Sequence, residues 1–336
     1  MKAWVQRGPG MAGLVFDEVA DAPAPGHGQV QVRLRAAALN PRDLQVLGGQ
    51  YGSMTKADLV PGSDGSGEVA SVGPGVWRVA AGDRVALTFH PHKIGDPHEA
   101  TPSPLGRGGS VDGVLQQHCT VGQDEVVPLP EHLSFEEGAT LPCAALTAWA
   151  ALTAGASLLP GDSVLVQGTG GVSLFALQLA RLFGSRVIAL ASSADKARQL
   201  VALGAHDVID RHDTPQWHEA VCALTEGRGV HRVVDVGGAA TVAQSVQSLR
   251  EGGTLAVVGL LGGPPAFDFG FFMRGVDVHP VRVGTRDQFV RMNHAIAQHR
   301  LRPVIARRYA FSELQQALRD LAAQQHVGKL VVSMND

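Results

Sequence analysis

One stretch constrains this chain more than any other: Val164-Leu-Val-Gln-Gly-Thr-Gly-Gly-Val-Ser173, continued by Leu-Phe-Ala-Leu-Gln-Leu-Ala180. Val164 to Val166 are apolar, as in a strand covered on both faces. Gly168-Thr169-Gly170-Gly171 breaks that run, and Leu174, Leu177 and Leu179 resume at helical spacing. Strand, glycine-rich turn and helix N-terminus, in that order, form a site for the phosphates of a dinucleotide. Gly168 permits the tight turn and Gly170 lets a pyrophosphate approach the backbone. The helix start, Gly171 and Val172, offers unpaired N–H groups and a partial positive charge. Ser173 stands where the third glycine of G-x-G-x-x-G usually stands, and is small enough for helix and strand to pack closely. Alone the motif is weak, since an ordinary βα turn uses the same residues.

The chain around the motif strengthens it. Strand patterns at 163–167, 186–191, 207–210, 232–236, 254–258 and 276–283 alternate with helical patterns near 171–183, 195–203, 215–226 and 241–250. This alternation predicts a doubly wound parallel sheet with right-handed crossovers. Residues 1 to about 125 instead read as short strands between Gly and Pro turns, a small twisted barrel. Residues 90–112 show no period, and a loop that long is usually functional or mobile. A capping box at Ser134-Phe-Glu-Glu137 starts a helix that runs on through Trp149 with a kink at Pro142. Beyond 285 a helix, a strand, a helix and a last strand, Lys329 to Met334, are expected to return to the first domain. The expected division is 1–127, 128–284 and 285–336.

Composition excludes several classes. The net charge is −3, no basic run occurs and aromatics make up 5%, which argues against a nucleic-acid groove. No window of some 18 uninterrupted apolar residues spans a membrane, and the N-terminus lacks the apolar core of a signal peptide, so a cytoplasmic location is expected. Cys119, Cys143 and Cys222 are scattered and odd in number, which fits a reducing compartment and excludes a four-cysteine zinc lobe.

Several motifs in order then carry a family resemblance: Ala38-Leu-Asn-Pro-Arg-Asp43, Pro61-Gly-Ser-Asp-Gly-Ser-Gly-Glu-Val69, Gly82-Asp-Arg-Val85, Leu141-Pro-Cys-Ala-Ala-Leu-Thr147, Gly168-Thr-Gly-Gly-Val-Ser173 and Gly328-Lys-Leu-Val331. Over essentially its full length the chain resembles the medium-chain dehydrogenase/reductase superfamily, in its zinc-free, quinone-oxidoreductase-like branch and the alcohol-dehydrogenase-like proteins near it. The resemblance implies an α/β protein with a Rossmann domain beside a GroES-like β-barrel domain, and an active site in the cleft between them. Zinc alcohol dehydrogenases hold their metal with Cys, His and Cys; those positions are Asn40, Ser63 and Cys143 here, with Asp64 for the following Glu. One soft ligand with Asn and Ser is not a zinc site, so a metal-free centre is expected, with Cys143 a small buried residue. His90, His92 and His98 could form a weak metal patch, but the simpler reading is solvated loop histidines.

Charge argues for NADP(H) over NAD(H). NAD sites place an acid at the end of the second strand, on the ribose 2′-OH. Here that strand ends in Ala191-Ser192-Ser193, with Lys196 one turn on, and Arg211 matches a tyrosine that packs near this phosphate in relatives. Ser192 and Ser193 can donate hydrogen bonds, Lys196 supplies charge and Arg211 a bidentate contact; the plainer reading is a helix cap followed by a surface lysine. The resemblance further implies that Thr147 contacts the nicotinamide, that Val258-Gly259-Leu260-Leu261 and Val283-Gly284 frame it, and that Lys329 reaches the cofactor phosphates. Asn40 is expected to hydrogen-bond the nicotinamide ribose or the substrate. Tyr51, eleven residues after Asn40, resembles the donor tyrosine of enoyl-thioester reductases and is the candidate catalytic donor. The expectation is a zinc-independent NADPH-dependent reductase of a quinone or an α,β-unsaturated carbonyl compound. The alternatives are an alcohol or aldehyde dehydrogenase of the family and a non-catalytic NADPH-binding protein of the ζ-crystallin kind. A homodimer is expected through the edge strand Val276-Asp-Val-His-Pro-Val281.

Overall fold

A computed structural model describes residues 1–96, 105–259, 271 and 273–334. The chain divides into two compact units, Met1–Leu146 with Gly284–Asp336, and Thr147–Val283. The first unit opens with β1 (Lys2–Gln6) antiparallel to β2 (Leu14–Glu18). It continues with β3 (Gln29–Ala38), β4 (Asp64–Val72), β5 (Arg84–Leu87), β6 (His118–Gly122) and β7 (Val126–Pro128). Strand β3 alternates: Val30, Val32 and Leu34 are buried while Gln29 and Arg33 face out, the period of a strand with one face on the core. Its last residues, Ala36, Ala37 and Ala38, are all buried: Ala37 faces the core with Val32 and Leu34, while Ala36 and Ala38 lie under the helix Phe135–Ala139, which packs on β3 and β4. Ser134 caps that helix through the expected reciprocal box with Glu137. The contacts of this helix carry the first unit to Leu146, beyond the expected boundary at 127.

The second unit holds β8 (Ser163–Gln167), β9 (Arg186–Ala191), β10 (Asp207–Asp210), β11 (Val230–Asp235), β12 (Leu249–Val257) and β13 (Asp277–Pro280). All pair in parallel in the order β10-β9-β8-β11-β12-β13. Every residue of the central β8 is buried, as a strand covered on both faces requires. The order reverses between β8 and β11, which makes their C-terminal ends the switch point where open α/β sheets bind ligands. The helical pattern expected over 241–250 ends sooner, at Gln247, and Leu249 already pairs with Val230. A bulge then separates Leu249 from Thr254, with Gly252 at φ +65° inside it.

The chain returns to the first unit through the helix Arg286–Gln298, β14 (Ile305–Ala310), the helix Leu314–Ala323 and β15 (Lys329–Ser333). Strand β15 lies parallel to β14 and antiparallel to β3, giving the order β14-β15-β3-β4-β5-β7, with β6 also on β3. The kink expected at Pro142 is a π turn over Leu141–Ala145, in which the Leu146 N–H donates to the Leu141 carbonyl. Among the described residues no helix is long and apolar enough to cross a membrane.

Candidate active site

In the second unit, Gly168 has φ +77°, a left-handed conformation that glycine adopts without strain. Gly170 differs: its φ of −72° and ψ of 171° suit any residue. A Cβ there would meet no atom of the described residues within 4 Å, so their packing does not require the glycine. It keeps the space in front of the helix Gly171–Leu182 open. That helix has no side-chain cap, and its first helical bond runs from the Leu174 N–H to the Gly170 carbonyl. The N–H groups of its first turn are therefore available to an anion, and the loop fits a dinucleotide pyrophosphate. Thr169 is buried beside it, and the Ser173 hydroxyl donates to the Gln167 carbonyl at 2.6 Å, holding the helix start against β8.

A second set of contacts at this switch point has little signature in the sequence. Asp235, fully buried at the end of β11, accepts from the N–H groups of Gly237 and Gly238, from Thr241 Oγ1 and Ser245 Oγ at 2.6–3.1 Å, and from Gln167 Nε2 at 3.3 Å. It braces the turn after β11 and, through Gln167, the end of β8. The only local signal is an acid followed by Val-Gly-Gly. Gly259 is glycine for a packing reason, since a Cβ would stand 2.0 Å from the Val236 carbonyl oxygen. Arg232, also buried, donates to the carbonyls of Ala151, Ala154 and Ala156 at the end of the helix Leu146–Thr153, which carries the buried Thr147. Burial lowers its guanidinium to about 10.

At the end of β9, Ala191 lies opposite Asp210, and the Arg211 N–H donates to the Ala191 carbonyl at 3.0 Å. Arg211 is thereby set, exposed, beside Ala191-Ser192. Ser193 caps the helix Ala194–Ala202 by accepting from the Lys196 N–H. The acid of this stretch, Asp195, pairs with Arg198 on the surface. Val283 adopts φ +55°, a left-handed conformation that costs a β-branched residue free energy. Leu260 lies outside the described residues, as do Leu261, His98 and the middle of the 90–112 loop.

In the first unit, Asn40, Ser63, Asp64 and Lys329 meet as a buried polar centre. Asn40 caps the helix Pro41–Leu47, and its own N–H donates to Asp43 Oδ2 at 2.8 Å. Its Nδ2 donates to Asp64 Oδ2 at 2.9 Å and to Ser63 Oγ at 3.3 Å. Lys329, 3% exposed, donates from Nζ to the Leu39 carbonyl at 2.7 Å, to Asn40 Oδ1 at 2.6 Å and to Asp64 Oδ2 at 3.2 Å. Three acceptors use all three ammonium hydrogens. The expectation sets Lys329 at the cofactor phosphates; here β15 pairs with β3 and the ammonium bonds to groups of its own unit.

Desolvation raises the Asp64 carboxyl, against the pull of Lys329 and Asn40. Desolvation likewise raises Asp43, to about 6, against Arg42. Cys143 keeps some exposed surface, but desolvation and the neighbouring Asp64 charge push its thiol up. Tyr51 does not bond to this centre; its hydroxyl donates to Gln45 Oε1 at 2.8 Å. His90 is buried, its ring edge-on to Phe89 at 4.7 Å, and not solvated as expected; His92 is exposed.

Residues 26–131 match the alcohol dehydrogenase GroES-like domain, and residues 171–298 match the zinc-binding dehydrogenase family. The zinc-type alcohol dehydrogenase-like protein C1773.06c of Schizosaccharomyces pombe is 37% identical over 318 residues, covering 92% of this chain and 91% of its own. The quinone oxidoreductase of Rattus norvegicus is 27% identical over 333 residues, covering 97% and 94%. A solved structure described as an NAD-dependent alcohol dehydrogenase superposes with a TM-score of 0.91 at 31% identity over the whole of both chains. The barrel-like first unit, the parallel sheet of the second, the open phosphate loop and these similarities agree: the chain belongs to the medium-chain dehydrogenase/reductase superfamily and is a nicotinamide-dependent oxidoreductase.

Proposed function

We propose that this chain is a zinc-independent, NADPH-dependent reductase of a quinone or an α,β-unsaturated carbonyl compound. Lys329 carries the reading. Its ammonium already neutralises Asp64 and occupies Asn40 Oδ1. Zinc takes thiolates, imidazoles and carboxylates. This centre offers an amide, a hydroxyl, a carboxylate already paired with a cation, and a thiol whose ionisation is disfavoured. That donor set does not fit the metal that the family names imply. Without a Lewis acid, the substrates best served are acceptors whose carbonyl oxygen needs only a hydrogen bond as charge develops.

NADPH, when bound, supplies the hydride. The N–H groups of Gly171 and Val172 would hold its pyrophosphate, with Gly168, Thr169 and Gly170 shaping the turn. Ser192, Ser193, Lys196 and Arg211 would serve its 2′-phosphate; Thr147, Gly259 and Val283 would serve the nicotinamide end. Asn40 works through its carboxamide in the polar centre, and Tyr51 donates to substrate only by leaving Gln45. The preference for NADPH is supported by the strand end at Ala191-Ser192, which lacks an acid, and by Arg211 anchored beside it. The NAD-dependent label of one structural neighbour weighs the other way. Relatives called alcohol dehydrogenases favour alcohol or aldehyde chemistry as the second reading. A homodimer joined at β13 is part of the proposal.

One set of measurements tests the reading. Purified protein, with its zinc content determined after dialysis, is assayed with NADPH and NADH against quinones, enones, enals, enoyl thioesters, aldehydes and alcohols. Two partly shielded charge contacts predict a roughly 10- to 1,000-fold preference for NADPH. The Lys196→Ala/Arg211→Ala variant should lose most of it and bind NADH nearly as before. Stoichiometric zinc with alcohol oxidation, or equal binding of both cofactors, would overturn the corresponding part.

A further inference from the structure

Main-chain pairing of β8 with β11 ends at Val166 opposite Val234. Beyond it the chain goes on to the phosphate loop on one side and to the turn at 236–238 on the other. Side chains take over where the ladder stops. Gln167, 6% exposed, accepts at Oε1 from the Val236 N–H at 3.3 Å. Its Nε2 donates to Asp235 Oδ2 at 3.3 Å and to Ser245 Oγ at 2.7 Å. One carboxamide thus offers an acceptor and two donors across the gap, as peptide groups do within a ladder. Asp235 gathers the other side. Its carboxyl oxygens accept from Gly237, Gly238, Thr241 and Ser245, and its main-chain carbonyl accepts from the N–H groups of Val258 and Gly259 at 2.8 and 3.1 Å. The ends of β8, β11 and β12 therefore meet on two buried side chains. Their polarity is fixed: a flipped Gln167 amide would turn its oxygen on Asp235 and its NH2 on the Val236 N–H.

We propose that Gln167 and Asp235 are positioning residues for the cofactor, whose bond sets the spacing between the phosphate loop and the turn after β11. A switch-point crevice takes a dinucleotide between those two turns. N–H groups serve an anion only at hydrogen-bond distance, and that distance is lost when the support of the loop shifts. Both residues act through the loop they hold. The inference rests on nicotinamide dependence alone, and neither on the preference for NADPH nor on any substrate.

The test uses the full chain, titrated calorimetrically well below its thermal midpoint. Gln167→Glu sets a second carboxyl against Asp235, and Asp235→Asn sets an amide NH2 against that of Gln167. Each should weaken NADPH binding about 10-fold. Gln167→Glu/Asp235→Asn exchanges acid and amide across the same bond, so every donor again meets an acceptor. The double variant should bind NADPH within about threefold of wild type. Adenosine 2′-phosphate has no pyrophosphate, so its affinity should stay at the wild-type value in all three variants, which a general loosening of the unit would not allow. Where wild type binds NADH more tightly, NADH and adenosine replace the two ligands. Where a single variant does not fold, Ser245→Ala removes one bond from each partner and should bind NADPH about threefold more weakly, with the fragment unchanged. Wild-type NADPH binding in the folded single variants or in Ser245→Ala, a double variant as weak as the singles, or a parallel loss of the fragment overturns the positioning role.

Discussion

Gly168 and Gly170 sit two residues apart in one loop, and alanine at each should do opposite things. At Gly168 the φ of +77° must be kept for the turn, and a left-handed conformation costs an alanine about 1–2 kcal/mol. At Gly170 the backbone already suits alanine, and a Cβ meets no atom of the described residues within 4 Å. Two small terms then oppose each other. Alanine restricts the unfolded chain, a gain of about 0.4–1 kcal/mol, but is a poorer N-cap than glycine by roughly the same amount. Gly170→Ala should thus unfold within about 0.5 kcal/mol of wild type. Its methyl group nevertheless fills the space kept for the pyrophosphate. Losing one charge-assisted contact costs about 1.5–3 kcal/mol, a roughly 10- to 100-fold weaker Kd. Urea unfolding of both variants without cofactor, and isothermal titration with NADPH, give the two numbers. A Gly170→Ala protein as unstable as Gly168→Ala, or one that binds NADPH like wild type, would refute the view that this glycine serves the ligand and not the fold.

The same contacts set three other outcomes. Arg232→Met should destabilise the second unit by about 3 kcal/mol or more, since three carbonyls lose a charged donor; unchanged urea unfolding would remove its bracing role. Asp43 is raised by burial from 3.8 to about 6, so the folded chain keeps a proton that the unfolded chain has lost. Its contribution is present below pH 4 and is lost as pH rises from about 4 to 6, on the order of 3 kcal/mol. Asp43→Asn should flatten the fall in stability across that window, and an unchanged pH profile would count against it. Among the described residues the sheet ends at β13, so light scattering should give twice the 35.2 kDa of one chain; a monomer at micromolar concentration would contradict pairing at that edge.

Much of the second unit was legible because its signals are contiguous. Strand runs, a glycine turn and helical spacing fall within a few residues of one another, and β8, β9 and β10 begin and end where the pattern places them. The bulge in β12 was not legible, because it depends on how Leu249 meets Val230 across the sheet. The identities Asn40 and Ser63, in place of zinc ligands, could be read residue by residue. Which side chain pairs with them could not. Lys329 lies 289 residues from Asn40 along the chain, and only the antiparallel pairing of β15 with β3 carries its ammonium into the centre. Sequence thus determined the fold class, the phosphate loop and the residue types at the site. Tertiary structure decided which of them touch, because a long side chain's partner is set by strand register, and register between distant strands is settled by the packed core, not by the residues beside it.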